Sequence, residues 1–217
     1  RAARARGERA RRLLNVGVAI IGILVTTPLM LLVAILVKLD SRGPAIYRQQ
    51  RVGICRRGGR GARADSRRSS DAGGRVFTIY KFRTMTVATG RGEEKWATKN
   101  DARVTRLGAF LRATRIDELP QLVNVLKGDM NIVGPRPEQP TIFAELRTEV
   151  TGYPQRQKVL PGITGRAQVT LGYDTSLDDV RRKVELDLDY IENRSALEDL
   201  TIMAKTMPVM VFRKVWM

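Results

Sequence analysis

The 217-residue chain sets 39 lysines and arginines against 22 acids, a formal charge of +17, and contains no histidine. That composition excludes Ser-His-Asp triads, histidine acid–base chemistry and histidine-ligated zinc; the single Cys55 excludes an internal disulfide and fits a reducing compartment. The length suits one domain with a real core, and the positive excess favours a polyanionic partner: nucleic acid, an anionic membrane face or a phosphorylated substrate.

The first element is basic: Arg1, Arg4, Arg6, Arg9, Arg11 and Arg12 precede an uncharged stretch of 25 residues, Leu13 to Val37. As a straight helix it would reach about 37 Å, enough to cross a bilayer core of about 30 Å. Pro28 interrupts it. A mid-helix proline leaves the carbonyl of Leu24 without its donor and predicts a kink, with Thr26 and Thr27 available to the freed backbone groups. The two arms, about 22 and 14 Å long, are each too short to span. Lys38, Arg42, Arg48, Arg51, Arg56 and Arg57 follow, so both flanks satisfy the rule that basic residues stay in the cytoplasm. A re-entrant segment accommodates both flanks; a crossing helix with a tolerated proline remains open from these residues alone.

Residues 56 to 75 hold seven arginines and two aspartates and almost nothing apolar. They read as a mobile basic loop lying on anionic lipid. "VFTIYKFRTM" reads as a strand whose period of two puts Lys81 and Arg83 on one face. Two cations there suit either a phosphate or a solvated edge.

"VTRLGAFLRATRIDELPQLVNVLKG" holds two helical stretches. In the second, Leu119, Leu122, Val123 and Leu126 follow helical spacing and predict a buried face, and Gly128 ends the helix. Pro120 belongs in a first turn. That places Asp117 near an N-cap, with Glu118 as a first-turn acid. A capped carboxylate is also held ionised, which suits a nucleophile, and a helix N-terminus attracts phosphate. "GPRP" at 134 to 137 fixes Arg136 between two prolines, which suits bidentate phosphate binding. "LPGITGRAQV" places Gly162 and Gly165 at turns, residues 178 to 207 read as helix broken around Asn193 to Ser195, and "PVMVFRKVWM" suits a membrane interface. There is no internal repeat and no clean internal boundary.

The proline-kinked apolar segment, "YKFRTM", "FLRATRIDELPQLVNVLKGDMNIVGPRP", "LPGITGRAQV" and "DLDYIENRS", in that order, resemble the bacterial sugar transferases, the monotopic phosphoglycosyl transferases. The resemblance runs from about residue 13 to the C-terminus. It implies transfer of a sugar-1-phosphate from a UDP-sugar to polyprenyl (undecaprenyl) phosphate, the first membrane step of surface-glycan assembly, on the cytoplasmic face of the bacterial inner membrane. It implies Asp117 as nucleophile and Mg²⁺ contact, Glu118 as acid/base, and Lys81, Arg112 and Arg136 near the phosphates; Arg83 joins them from the strand pattern. It implies a re-entrant rather than a crossing helix, bent at Thr27 and Pro28 where the family usually has Ser-Pro. Two further departures are a longer loop at 56 to 75, and "TLGYD" after "AQV" where many members have Asn-Gly-Arg.

The expected fold is an α/β membrane-associated, monotopic domain, mostly helical with a small sheet. A basic flank at 1–12, a re-entrant helix at 13–38 and a catalytic domain at 39–217 divide the chain. The expected partners are the donor, the acceptor and anionic membrane lipid, with no nucleic acid; a membrane-tethered nucleic-acid module is the alternative. The aromatic-free loop at 56 to 75 argues against that alternative, because single-strand readers interleave aromatics with their cations.

Overall fold

The computed structural model describes residues 2–55, 74–86, 101–171 and 176–212, with side chains between residues 7 and 206. Residues 56–73 of the arginine-rich loop, residues 172–174 of "TLGYD" and residues 213–217 of the tail lie outside the described residues.

Helix α1 (Ala2–Asp40) is longer than the apolar stretch and absorbs the basic flank. At 39 residues it measures about 58 Å along its axis. Pro28 lies inside it. The Thr26 and Thr27 hydroxyls donate to the carbonyls of Gly22 and Ile23, two residues and one residue short of the Leu24 carbonyl that proline deprives. Its middle is exposed and apolar: Leu24 and Val25 are 71% and 72% exposed.

Both arms of α1 dock on the same body. On the N-terminal arm, Val18, Ala19 and Ile23 join a core with Phe77, Leu122, Val125, Ile132 and Tyr190. On the C-terminal arm, Val33 and Val37 pack with Phe82 and Leu111. The basic flank is therefore partly internal. Arg11 is buried, with Nε 3.1 Å from Asp199 Oδ2, and Tyr190 donates to the other Asp199 oxygen at 2.7 Å. Buried Asn15 accepts from the Ile132 amide. Arg12 donates to the carbonyls of Val125 and Met130 and to the Asn131 side chain.

Strands β1 (Ile46–Val52) and β2 (Val76–Phe82) form an antiparallel pair in register from Ile46↔Phe82 to Val52↔Val76. Helix α2 (Arg106–Ala113) starts at Thr105, whose hydroxyl accepts from the Gly108 amide. A 3-10 turn (Ile116–Glu118) leads to α3 (Gln121–Lys127), which ends at Gly128 with φ 83°, the left-handed stop glycine favours. Strands β3 (Asn131–Val133) and β4 (Gly162–Thr164) pair in parallel. Between them lie α4 (Pro140–Glu149) and a second 3-10 turn (Tyr153–Lys158). Helices α5 (Arg166–Thr170), α6 (Leu177–Asn193) and α7 (Ala196–Phe212) complete the chain, with α6 opened by a capping box between Ser176 and Asp179.

Three local expectations change. The buried face of α3 is Gln121, Leu122, Asn124 and Val125, whereas Val123 and Leu126 are each 41% exposed. Asn124 explains this: its side chain pairs with the Thr78 carbonyl and the Tyr80 amide of β2, so a polar residue turns inward. Asp117 caps no α-helix; it lies in the 3-10 turn, and Pro120 occupies the α3 N-cap without a side-chain cap. Gly162 and Gly165 are not turn glycines. Both are extended, and a Cβ on either would collide with the Gly134 backbone, so they are small to let "GPRP" lie against β4.

Candidate active site

Three elements carry the charged cluster. Lys81 comes from the end of β2, Asp117 and Glu118 from the 3-10 turn, and Arg136 from the segment after β3. The turn between α2 and the carboxylates is made by Arg115, the one non-glycine residue with positive φ (55°) among the described residues. That left-handed conformation costs roughly 1–2 kcal/mol and is held because it folds the chain back, with the Glu118 amide donating to the Arg115 carbonyl at 3.1 Å.

The two carboxylates are 8% and 7% exposed, yet their surroundings differ. Glu118 is clamped. Its Oε1 lies 2.8 Å from Lys81 Nζ and 3.3 Å from Arg136 Nη2, and its Oε2 lies 3.6 Å from Arg115 Nη1. Burial alone would raise its pKa; Lys81, Arg136 and Arg115 outweigh burial and hold it well below the usual carboxylate range. Asp117 has no hydrogen-bond partner among the described residues. Burial first, and the Glu118 charge second, push its pKa up to about 6, against the pull of Lys81, Arg112 and Arg136. One acid is thus a fixed anion in a cationic ring, and the other makes no side-chain hydrogen bond among the described residues.

Arg136 is fixed through its backbone. Arg156 Nη2 donates to the Arg136 carbonyl at 3.2 Å and Arg51 Nη1 to the Pro137 carbonyl at 3.1 Å. Gly162 donates to the Pro135 carbonyl at 2.9 Å. Arg156 is itself held by buried Asp187, Nε to Oδ2 2.8 Å. Arg112 approaches from α2, tethered by its Nε to Thr84 Oγ1 at 2.8 Å.

Of the residues singled out in the sequence, Lys81, Asp117, Glu118 and Arg136 come together, with Arg112 close enough to act on Asp117 electrostatically. Arg83 does not join them. β2 ends at Phe82, and Arg83 turns away to donate to the carbonyls of Val37, Ser41 and Pro44, closing the C-terminus of α1. Thr27 and Pro28 belong to α1 and line no part of the cluster. The sequence reading missed Arg51, Arg115, Arg156 and Asp187. Arg115 adjoins the acid pair and was within reach; the other three meet the site only through tertiary structure.

No group of three or more potential metal-ligating side chains occurs among the described residues. The donor set fits an ion carried in on phosphate oxygens and touched by one carboxylate, which is how Mg²⁺ is commonly held, rather than a protein cage. Asp117 is the carboxylate with oxygens to spare.

A buried acid pair in a ring of cations sits on a body gripped at two points by one long apolar helix, the marks of a membrane-associated domain. The chain belongs to the bacterial sugar transferase family, whose sequence profile matches residues 6–213. It is 43% identical over 196 residues to a UDP-N-acetylgalactosamine-undecaprenyl-phosphate N-acetylgalactosaminephosphotransferase of Aeromonas hydrophila, covering 90% of this chain and 42% of that protein. It is 42% identical over 146 residues to a putative undecaprenyl-phosphate N-acetylgalactosaminyl 1-phosphate transferase of Bacillus subtilis, covering 67% of this chain and 72% of that protein. It is 38% identical over 198 residues to a UDP-glucose:undecaprenyl-phosphate glucose-1-phosphate transferase of Escherichia coli, covering 90% of this chain and 39% of that protein. The chain thus spans less than half the length of the first and third of these relatives.

Proposed function

We propose that the chain transfers a sugar-1-phosphate from a UDP-sugar to polyprenyl phosphate through an aspartyl-phosphosugar intermediate. The observation that carries this reading is the division between the two acids: Asp117 uncommitted, Glu118 clamped by Lys81, Arg115 and Arg136. The names of the relatives support the donor and acceptor classes. Asp117 Oδ attacks the phosphorus bearing the sugar. That phosphorus–oxygen bond to UMP breaks, and UMP leaves with the electron pair. An oxygen of polyprenyl phosphate then attacks the same phosphorus and expels the Asp117 carboxylate, leaving a lipid diphosphosugar. Arg136 and Lys81 neutralise the phosphate oxygens, and Arg112 adds charge from the α2 side; phosphoryl transfer depends mainly on such positioning and charge. Mg²⁺, when bound, would neutralise donor phosphate charge beside Asp117. The clamp on Glu118 makes it a weak base, so its main part is to orient the cations; Lys81 and Arg136 hold Oε1, and Oε2, without a hydrogen-bond partner among the described residues, is the oxygen left to take a proton from the acceptor phosphate.

The same reading makes α1 re-entrant. Its two arms dock on one body, its exposed middle is apolar, and the back-bonded hydroxyls of Thr26 and Thr27 favour a bend next to Pro28. With both basic flanks retained, the body sits on the cytoplasmic face of the inner membrane.

The test uses the parent protein in detergent, mixed with Mg²⁺ and a panel of UDP-sugars and no acceptor. UMP release and a phosphosugar adduct on the Asp117 peptide are expected. Asp117→Asn, nearly isosteric and free of any capping duty, should fold with an unchanged Tm and lose both signals. An adduct-free parent together with an active Asp117→Asn protein overturns the covalent route.

A further inference from the structure

The first half of the apolar stretch, Leu13 to Val25, carries one polar side chain, Asn15. A side-chain amide is costly in a membrane helix unless it is paired, so its presence there asks for a reason. Asn15 is 0% exposed. Its Nδ2 donates to the Arg11 carbonyl at 2.7 Å and lies 3.4 Å from Asp199 Oδ2. Its Oδ1 accepts from the Ile132 amide at 2.6 Å and lies 3.4 Å from the Val133 amide. The donor half of the amide serves α1 and α7; the acceptor half leaves the helix for β3.

β3 has two edges. On one, the flanking Asn131 and Gly134 amides donate to the carbonyls of Pro161 and Thr164. Alternation along the strand turns the Ile132 amide to the other edge, where no further strand pairs among the described residues. Asn15 takes the place of that strand. Arg136 follows four positions after Ile132, and the chain between them has little slack. A Cβ on Gly134 would lie 2.5 Å from the Leu160 carbonyl oxygen, and prolines 135 and 137 fix the backbone on either side of Arg136. A three-residue strand so confined cannot shift at Ile132 without carrying the guanidinium that meets Glu118 Oε1.

We infer that Asn15 is a positioning residue for Arg136. Its side-chain oxygen fixes the outer edge of β3, so the seating of the membrane helix sets where the Arg136 guanidinium stands. Arg12 supports the same edge by donating to the Met130 carbonyl and the Asn131 side chain. Arg156 and Arg51 hold the carbonyls of Arg136 and Pro137, beyond the strand; Asn15 holds the strand that leads into them. The consequence for turnover rests on the proposed phosphosugar transfer; the consequence for geometry does not. α1 is then more than an anchor, because a domain whose helix is undocked lacks a placed Arg136.

The geometric arm of the test needs no turnover. Mass spectrometry follows hydrogen exchange on the peptide holding Ile132 and phenylglyoxal modification of Arg136, in detergent-solubilised parent, Asn15→Leu and Asn15→Asp proteins. Asn15→Leu keeps the size and removes the acceptor. Asn15→Asp keeps the acceptor, with Arg11 near to balance its charge. In Asn15→Leu both rates should rise about tenfold or more, while peptides of α4 and of the β1–β2 pair exchange as in the parent; Asn15→Asp should stay within about twofold of the parent. Should Asn15→Leu not fold, Asn15→Ser, polar but too short to reach Ile132, takes its place in every arm. Parent rates at both peptides, or a rise spread over the whole domain, overturn the inference. The kinetic arm is a double-mutant cycle on single-turnover adduct formation from a UDP-sugar. Asn15→Leu should slow the parent about tenfold or more but slow an Arg136→Gln protein by less than about twofold. Equal factors in the two backgrounds overturn action through Arg136. A parent that forms no adduct sinks the transfer reading and leaves the geometric arm to decide.

Discussion

Two adjacent carboxylates with similar burial are driven to opposite protonation behaviour by what faces them. Glu118 looks into Lys81, Arg115 and Arg136 and stays ionised; burial first and the Glu118 charge second push the Asp117 pKa up to about 6. The functional sign follows. Below pH 6 Asp117 is mostly protonated and cannot attack, and above it the carboxylate is restored. The rate of adduct formation at low donor concentration should therefore fall on the acid side with a midpoint near 6 in the free enzyme. Glu118→Gln removes the neighbouring negative charge while the cations keep their own charge, so the midpoint should move to lower pH even as the maximal rate drops because Arg136 is less firmly anchored. The measurement is single-turnover UMP release against pH in both proteins. A midpoint that stays put or rises would show that Asp117 is not the titrating group. The sequence showed the pair and its cations but not this asymmetry, because Lys81 lies 37 positions from Glu118 and the αL turn at Arg115 has no glycine to announce it.

Elements were legible where local chemistry decides them. β2 is rich in aromatic and β-branched residues, α3 stops at Gly128, and the break between α6 and α7 falls at Asn193 to Ser195 as the pattern implied. What failed was the choice of face. The i, i+3, i+4, i+7 run in α3 marks a side that is half exposed, since Val123 and Leu126 face away from the core while Asn124 turns in to bridge β2. In a soluble protein that pattern would be buried; on a body gripped by a membrane helix, apolar side chains can face outward. Arg83 shows the same limit. Strand period placed it beside Lys81, but the strand ends at Phe82 and the guanidinium closes the end of α1 on three carbonyls. Arg83→Gln should therefore lower Tm, because hydrogen bonds to a charged group contribute roughly 1.5–3 kcal/mol each and three are lost or weakened. The donor KM of the surviving folded protein should match the parent. A raised KM at unchanged Tm would return Arg83 to the phosphate site.

At the scale of the molecule, the basic flank belongs to the body as much as to the membrane. Arg11 and Arg12 follow a run that reads as a topogenic signal, yet both reach into the domain, Arg11 to Tyr190 and Asp199, Arg12 to the α3–β3 segment. Partners 188 positions apart leave no trace in local sequence. This bears on how the helix would respond to losing its proline. Pro28→Leu restores a backbone hydrogen bond and removes a ring clash, about 3 kcal/mol in favour of a straight helix. A straight helix must carry the N-terminal arm to the far side of the membrane. That move strips Arg11 and Arg12 of six side-chain hydrogen bonds, each contributing roughly 1.5–3 kcal/mol, and drags cations across. The anchors outweigh the proline. On the re-entrant reading, Pro28→Leu alone should thus keep both flanks on one side, and Pro28→Leu combined with Arg11→Gln and Arg12→Gln should cross in part. The readout is a cysteine placed in the first ten residues of a Cys55→Ser background, labelled in intact cells by a membrane-impermeant thiol reagent. The parent and Pro28→Leu should stay dark, and the triple variant should label and lose transfer activity in proportion. Labelling of the parent would mean that α1 already crosses, and that two docked arms do not keep a helix on one side.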